Sequence, residues 1–376
     1  MKILFLIPSY KPAYVYGGTI VVIAMLAEKL VTEGHDVSVY TTAANGSEEL
    51  DVNYGVETNV DGVKVTYFKR ITGDHTHISP SLWKNLYQNV NKFDVVHIHS
   101  WWNPLIIGAA LICKLKGVKP IFSPHGMLSS YIIETNNAGK KKFIHTLLGK
   151  HLLKNSFLHV TAKSELEEAL KIIPSWQGVV IPNLVLLSDV NYPRHQNDVF
   201  TIGFMSRVDP KKGLDLLITA LSKVNFKYKL VIAGDGDPLY VNSIKNLSAE
   251  LKVNENLEWV GWKKGEEKFE FLSKLDLFAL TSHNENFAIV VIEALSVGTP
   301  VLVSKNVGTY QYVSDKDLGW VSDLTIENIV HQLNELYIEH QKQQAIKTNA
   351  KGIIDHDFNG SNIATQYIDF YKSTLS

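Results

Sequence analysis

Two carboxylates, Glu285 and Glu293, stand with seven residues between them in the run Asn284-Glu285-Asn286-Phe287-Ala288-Ile289-Val290-Val291-Ile292-Glu293-Ala294-Leu295. The run follows an apolar segment at 275–280 that reads as a strand, and a helix is expected to open near Phe287. Glu285 then lies in the loop just ahead of the helix and Glu293 inside its second turn, able to face one ligand. Free amides at a helix start favour an anion such as a diphosphate. The helix is apolar on nearly every side, so it should be buried, and a buried Glu293 needs a partner. A capping acid plus a satisfied core glutamate is the plain alternative, and spacing alone leaves both open.

Other residues have types suited to chemistry. Arg207 directly follows the apolar run 200–205, and Lys211-Lys212 comes shortly after. Fixed cations at a strand end stabilise charge growing on a diphosphate, although Lys211-Lys212 alone reads as a solvated loop. Tyr16-Gly17-Gly18-Thr19 follows the first apolar run and opens a helix, where glycines let a backbone approach a ligand; a simple strand–helix turn explains them equally. His125, in Ser123-Pro124-His125-Gly126-Met127, follows another apolar run, and a lone histidine there is more often structural. His97 and His99 share one face of a strand that leads into Trp101 and Trp102. A metal pair is conceivable there, but no carboxylate or third histidine is near in sequence, so no metal is expected. His99, Trp101 and Trp102 suit an acceptor pocket, or the tryptophans pack a core. Asp235-Gly236-Asp237 and Asp315-Lys316-Asp317 formally match a metal–diphosphate pattern that arises easily by chance.

These groups must be carried by ordered elements. Apolar, partly β-branched runs occur at 3–8, 37–41, 63–68, 95–98, 120–123, 157–160 and 178–181, then at 200–205, 228–233, 257–260, 275–280 and 300–303. Consecutive rather than alternating apolar positions suit parallel strands covered on both faces. Helical periodicity fills the intervals, as at 19–32 with Gly34 as its stop, at 213–223 and at 240–251; Ser164-Glu165-Leu166-Glu167 reads as a capping box. A polar stretch at 189–198 reads as a linker between an N-terminal domain, 1–188, and a second domain, 199–359. Two successive α/β halves imply two doubly wound domains, with ligands at the carboxyl ends of the strands and in a cleft between them.

Composition narrows the classes. With 376 residues and a net charge of −1, the chain is long enough for two domains and has no global pull toward nucleic acid. The single cysteine, Cys113, excludes an internal disulfide and any cysteine-cluster metal site. No apolar stretch reaches the roughly 18 residues needed to span a bilayer. The start, Met1-Lys2-Ile3-Leu4-Phe5-Leu6-Ile7-Pro8, breaks too early for a signal peptide, so a cytoplasmic protein is expected. No G-x-G-x-x-G follows a strand, which disfavours a dehydrogenase, and no Ser-His-Asp or Cys-His nucleophile set is evident.

The segment from Glu285 to Pro300 resembles the E-x7-E signature of retaining glycosyltransferases of family 4, which have the GT-B fold. Glu285-Asn286-Phe287-Ala288, Glu293-Ala294 and Gly298-Thr299-Pro300 carry the likeness, with Ala288 where the family has glycine. Arg207 and Lys212 fit its basic positions, with Ser206 replacing a glycine; His125-Gly126, Val96-His97-Ile98-His99, Ile181-Pro182-Asn183 and Gly234-Asp235-Gly236 are also similar to family elements. The resemblance covers nearly the whole chain and implies that 360–376 form a helix returning to the first domain. It implies a nucleoside-diphosphate sugar as donor, bound by Gly17, Gly18, Arg207, Lys212, Phe287, Ala288, Ile289 and Glu293. Arg207 and Lys212 would hold the diphosphate and Glu293 the ribose. His125 and Glu285 would be the catalytic residues facing the sugar, and His99, Trp101 and Trp102 would line the acceptor site. It further implies a saccharide or lipid-linked acceptor in surface polysaccharide assembly and no metal or other cofactor.

Residues 139–154 place apolar side chains at 143, 144, 147, 148, 152 and 153 on one helical face ringed by cations, the profile of a peripheral contact with an anionic membrane, or of an ordinary packed helix with a basic rim. Two rivals to the transferase expectation stay open: a sugar-nucleotide epimerase or hydrolase on the same scaffold, and a non-catalytic nucleotide-sugar-binding protein. A glycosidase acid–nucleophile pair at Glu285 and Glu293 is weaker, since spacing in sequence does not set the distance between carboxyls.

Overall fold

The computed structural model describes residues 1–129, 149–193 and 197–375. It divides into two compact units, one of residues 1–184 with 360–376 and the other of residues 185–359.

The first unit begins with β1 (Lys2–Ser9), α1 (Gly18–Thr32) and β2 (Asp36–Thr42), then a two-stranded ribbon, β3 (Ala44–Asn45) and β4 (Glu48–Glu49), and the pair β5 (Glu57–Val60) and β6 (Val63–Phe68). It continues through α2 (Pro80–Asn89), β7 (Val95–His99), α3 (Pro104–Leu115), β8 (Ile121–Ser123), α4 (Lys150–Lys154), β9 (Phe157–Val160), α5 (Lys163–Ile172) and β10 (Gly178–Val180). The sheet order is β10-β9-β8-β7-β1-β2-β6-β5. Every pair is parallel except β5 on β6, an antiparallel edge that the sequence reading did not anticipate. The apolar runs are buried because helices cover both faces: Ile3, Leu4, Phe5 and Leu6 are all fully enclosed. Gly34, at φ +85°, ends α1 in the left-handed conformation that glycine adopts without strain.

The second unit contains β11 (Phe200–Met205), α6 (Leu214–Leu221), β12 (Tyr228–Ala233), α7 (Pro238–Glu250), β13 (Leu257–Trp259), α8 (Glu266–Ser273), β14 (Leu277–Leu280), α9 (Ile289–Ser296), β15 (Val301–Ser304), α10 (Tyr310–Asp315), β16 (Gly319–Ser322), α11 (Ile326–Ile338) and α12 (His340–Asp357). Its sheet is wholly parallel in the order β13-β12-β11-β14-β15-β16. Strand β16 is a second element the sequence reading missed, because Gly319-Trp320-Val321-Ser322 has only two strong strand formers.

The last helix, α13 (Gly360–Ser373), belongs to the first unit and buries Ile363, Ala364, Tyr367 and Tyr371 there.

In each sheet the winding reverses once, between β1 and β7 in the first and between β11 and β14 in the second. Ligands of doubly wound sheets bind at the carboxyl ends of the strands flanking such a reversal. The topology therefore directs attention to four loops, those after β1, β7, β11 and β14.

Two expectations need correction. The chain passes from one unit to the other at 184/185, ahead of the expected linker at 189–198. The chain around the start of the polar run is anchored: Ser188 Oγ donates to Glu266 Oε2 at 2.6 Å, and the Tyr192 hydroxyl bonds the same carboxylate. The capping box at Ser164 is not formed either. Helix α5 is capped by Ala162 with no side-chain bond, and Glu165 is engaged elsewhere.

Candidate functional site

In the second unit, the loops after β11 and β14 are laced together. Gly213 sits at φ +65°, and a Cβ there would lie 2.1 Å from the Thr281 carbonyl oxygen, so only glycine permits the approach. Thr281 Oγ1 donates to the Gly213 carbonyl at 2.7 Å, and the His283 amide donates to the Lys211 carbonyl at 2.8 Å. Asp209 Oδ1 accepts from the Lys211 amide at 2.9 Å and so shapes the turn that presents the lysines. The loop after β15 holds Glu285 in turn, its amide donating to Asn306 O at 2.9 Å and its carbonyl accepting from the Gly308 amide at 2.8 Å.

This lacing brings Lys212 Nζ onto Glu285 Oε1 as an ion pair whose side chains are 19% and 16% exposed. Arg207 is exposed and makes no ion pair among the described residues. Burial pushes the Lys211 ammonium below its ordinary pKa, against the attraction of Glu285 and with the repulsion of Lys212 added. Arg207, Lys211 and Lys212 thus set three cations against Asp209 and Glu285, an excess of positive charge at the strand reversal. Lys211, read from sequence as solvated loop, is partly buried in this group.

Helix α9 starts beside it. Phe287 is buried, and Ala288 precedes the helix at φ +60°, ψ +70°, a left-handed conformation costing a residue with a Cβ about 1–2 kcal/mol. The glycine expected here is therefore explained by backbone shape. Ile289 is the first helical residue, one turn before Glu293. Glu293 is 6% exposed, and Lys268 Nζ of α8 bonds its Oε1. Burial raises the Glu293 pKa, while Lys268 acts in the opposite direction. The partner that a buried Glu293 requires is thus a residue the sequence reading did not single out.

In the first unit, Gly17 (φ +85°) caps α1 and is followed by Gly18; a Cβ on either would meet nothing within 4 Å. The loops after β7 and β8 hold three left-handed non-glycine residues, Ser100 (φ +79°), Trp102 (φ +57°) and His125 (φ +51°). Such strain gathers at functional sites, where surrounding structure holds it in place.

Beneath these loops lies a polar network. The nitrogens of His97 bond the Tyr371 hydroxyl at 2.8 Å and Ser123 Oγ at 2.6 Å. Ser123 also bonds His159 Nδ1 at 2.6 Å, and the other His159 nitrogen faces the Tyr367 hydroxyl at 2.9 Å and the Ile181 carbonyl at 3.0 Å. His99 Nδ1 lies 3.1 Å from His125 Nε2. Desolvation lowers all four histidines, His125 to about 3 and His159 to about 4, so the rings are neutral near pH 7. His125 therefore acts as a neutral hydrogen-bonding group there. Both nitrogens of His97 are engaged, which removes it from a metal pair with His99. Among the described residues no group of three or more His, Cys, Asp or Glu is placed to hold a metal. Asp235 and Asp237 cap local backbone amides, and Asp317 pairs with Lys342.

The acceptor assignment needs correction. Trp101 is 1% exposed and packs edge-on against Phe122 in the core, so it lines no open surface. His99 is also 1% exposed, enclosed beside His125. Trp102 is half-buried, with Nε1 donating to the Met127 carbonyl at 2.6 Å. Residues 139–148 of the expected membrane-facing stretch lie outside the described residues; in α4, Leu152 and Leu153 are buried in the core. No helix among the described residues is long and apolar enough to cross a membrane.

Residues 190–352 match the family described as Glycosyl transferases group 1, and residues 16–188 match Glycosyltransferase Family 4. An uncharacterised glycosyltransferase of Methanocaldococcus jannaschii is 27% identical over 100% of this chain and 99% of its own. Among solved structures, sucrose-phosphate synthase from Thermosynechococcus elongatus superposes with a TM-score of 0.76 at 18% identity, over 100% of this chain and 99% of that one. Anabaena HepE in complex with UDP gives 0.74 at 18% identity, over 99% and 100%. These structural likenesses are likenesses of fold.

Proposed function

The chain belongs to the glycosyltransferases of the family-4 type, with the GT-B fold, and on that footing we propose that it is a retaining enzyme moving a sugar from a nucleoside diphosphate to a hydroxyl acceptor. The observation that carries the reading is the cation group Arg207, Lys211 and Lys212 beside the start of α9, at the winding reversal of the second sheet. The diphosphate is bound there by those cations and by the free amides of the helix start, Phe287, Ala288 and Ile289 flanking it. Glu293 accepts from the ribose hydroxyls. Glu285, now paired with Lys212, contacts the sugar once the diphosphate takes a share of that lysine. In the first unit, His125, as a neutral ring, and the Gly17-Gly18 turn are proposed to contact the donor, a role that rests on the sequence resemblance.

The chemistry proposed is displacement on the face from which the leaving group departs. The acceptor oxygen bonds to the anomeric carbon as the bond to the diphosphate breaks, and a phosphate oxygen takes the acceptor's proton. The protein positions the reactants and stabilises the departing charge, so no side-chain nucleophile is needed. Protein cations do the work that a metal does in other diphosphate sites. The acceptor is proposed as a glycan or lipid-linked saccharide of surface polysaccharide assembly, and contact of residues 139–154 with an anionic membrane belongs to the same proposal; both rest on the sequence resemblance and profile.

A thermal-shift screen of nucleoside diphosphates and their sugars tests the reading, since a ligand present at 100 times its Kd stabilises by about 2.7 kcal/mol. One base should raise the melting temperature of the wild type, and Glu293→Gln should weaken that effect. Unchanged nucleotide affinity in the variant rejects the ribose role. Product NMR at the anomeric centre then tests retention, and release of free sugar regardless of acceptor would favour a hydrolase.

A further inference from the structure

Glu165 has no part in the chemistry above, and it does not cap its own helix. Its Oε1 accepts from the Gly126 amide at 2.6 Å, across 39 residues of chain, and its Oε2 accepts from the Thr161 amide at 3.0 Å and Thr161 Oγ1 at 3.3 Å. The side chain is enclosed, with the residue 5% exposed. A glutamate at the third position of a helix ordinarily reaches back to the cap amide. Here that reach is extended to the loop after β8 and to the residue next to His125.

That loop has two left-handed residues in succession, His125 at φ +51° and Gly126 at φ +78°. The His125 ring is held on its other side by His99, through the 3.1 Å contact between Nε2 and Nδ1. The ring is thus fixed at two points, its backbone by a carboxylate and its imidazole by a second histidine. A short bond to an ionised acceptor is among the stronger hydrogen bonds available to an amide, which suits a contact that must hold strained backbone.

We infer that Glu165 is a positioning residue for His125: by clamping the Gly126 and Thr161 amides together it holds the partly buried imidazole in one orientation. The inference takes from the proposed function only that His125 faces substrate. The clamp itself stands on the hydrogen bonds.

The test uses full-length, ligand-free protein with 15N-labelled histidine, followed by NMR from pH 5 to pH 8. In the wild type, desolvation first and the neighbouring His159 second place His125 at about 3, so its ring resonances stay fixed over this range. Glu165→Gln puts an amide NH2 where one backbone N–H needs an acceptor. The loop is then released, water reaches the ring, and His125 titrates toward the ordinary histidine value of about 6.5. Glu165→Asp, which keeps the charge but shortens the reach, should do the same and serves if the glutamine variant does not fold. A His125 ring that remains fixed and non-titrating in either folded variant overturns the inference, whatever happens to the melting temperature. Wild-type turnover in His125→Ala would refute the substrate-facing role of that ring, while the NMR result decides the clamp, so the two failures are distinguishable.

Discussion

Replacing Lys268 with methionine should expose the cost of burying Glu293. The pair is enclosed, with Glu293 at 8% and Lys268 at 22% side-chain exposure. Removing one partner of a buried ion pair costs roughly 3–5 kcal/mol, because the other charge is left uncompensated. The remaining exposure of Lys268 argues for the lower end, about 3 kcal/mol. At roughly 2–4 °C per kcal/mol for a unit of this size, the melting temperature should fall by roughly 6–12 °C near pH 8. The pH dependence has a definite sign. Burial raises the folded-state pKa of Glu293, so its contribution to stability is full below the unfolded-state pKa and is lost as the pH rises through the folded one. Lys268 opposes that rise, so without it the loss is larger and sets in over a wider range. The deficit of Lys268→Met should therefore be greatest at pH 8 and shrink toward pH 5. Calorimetry on the wild type, Lys268→Met and Lys268→Met/Glu293→Gln at both pH values measures this. The double variant, with a neutral amide in place of the carboxylate, should recover most of the loss. A deficit below about 1 kcal/mol at pH 8, or one that grows on acidification, would refute the reasoning.

Arg207→Ala and Lys212→Ala should each lower turnover by roughly 10²-fold or more, the scale of losing one transition-state donor, with circular dichroism unchanged; wild-type rates in folded variants would remove them from the mechanism. Ala288→Gly should relieve left-handed strain and raise stability by about 1 kcal/mol in denaturant melts, while a destabilised variant would show that the alanine methyl packs favourably. Turnover should persist in excess chelator, and complete loss restored by added metal would contradict a diphosphate site built on protein cations.

Much of the fold is visible in the chain. Buried parallel strands are continuous apolar words, and their neighbours in space follow from the winding rules. Arg207 could be placed for a similar reason, since a charged residue just after an apolar strand falls at the carboxyl end of a sheet. Pairings between separate elements could not. Lys268 sits in Glu266-Glu267-Lys268-Phe269, which reads as an ordinary charged helix start, and only the packing of α8 against α9 brings it to Glu293. Ser164 and Glu167 had the sequence of a capping box, but the helix starts at Lys163, and the Glu165 carboxylate reaches a distant loop that the local sequence does not announce. His159 gave a usable signal, a histidine inside the strand Phe157-Leu158-His159-Val160, but its partner Tyr367 lies 208 residues later. Trp101 fell to the core, where its ring packs edge-on against Phe122, a contact between loop and strand that the local sequence does not announce.

The tyrosines of α13 close the histidine network of a unit whose other residues end at 184. Until 360–373 have been made, His97 and His159 lack their tyrosine partners and the places of Ile363 and Tyr367 stand empty. The ribosome therefore delivers the first half of the chain long before it can finish folding. At roughly 5–20 residues per second the wait is on the order of 10–40 s, and the second unit, contiguous in sequence, is free to mature first. The nascent N-terminal half is in this sense a client of its own C-terminus, because the helix that completes it is encoded last.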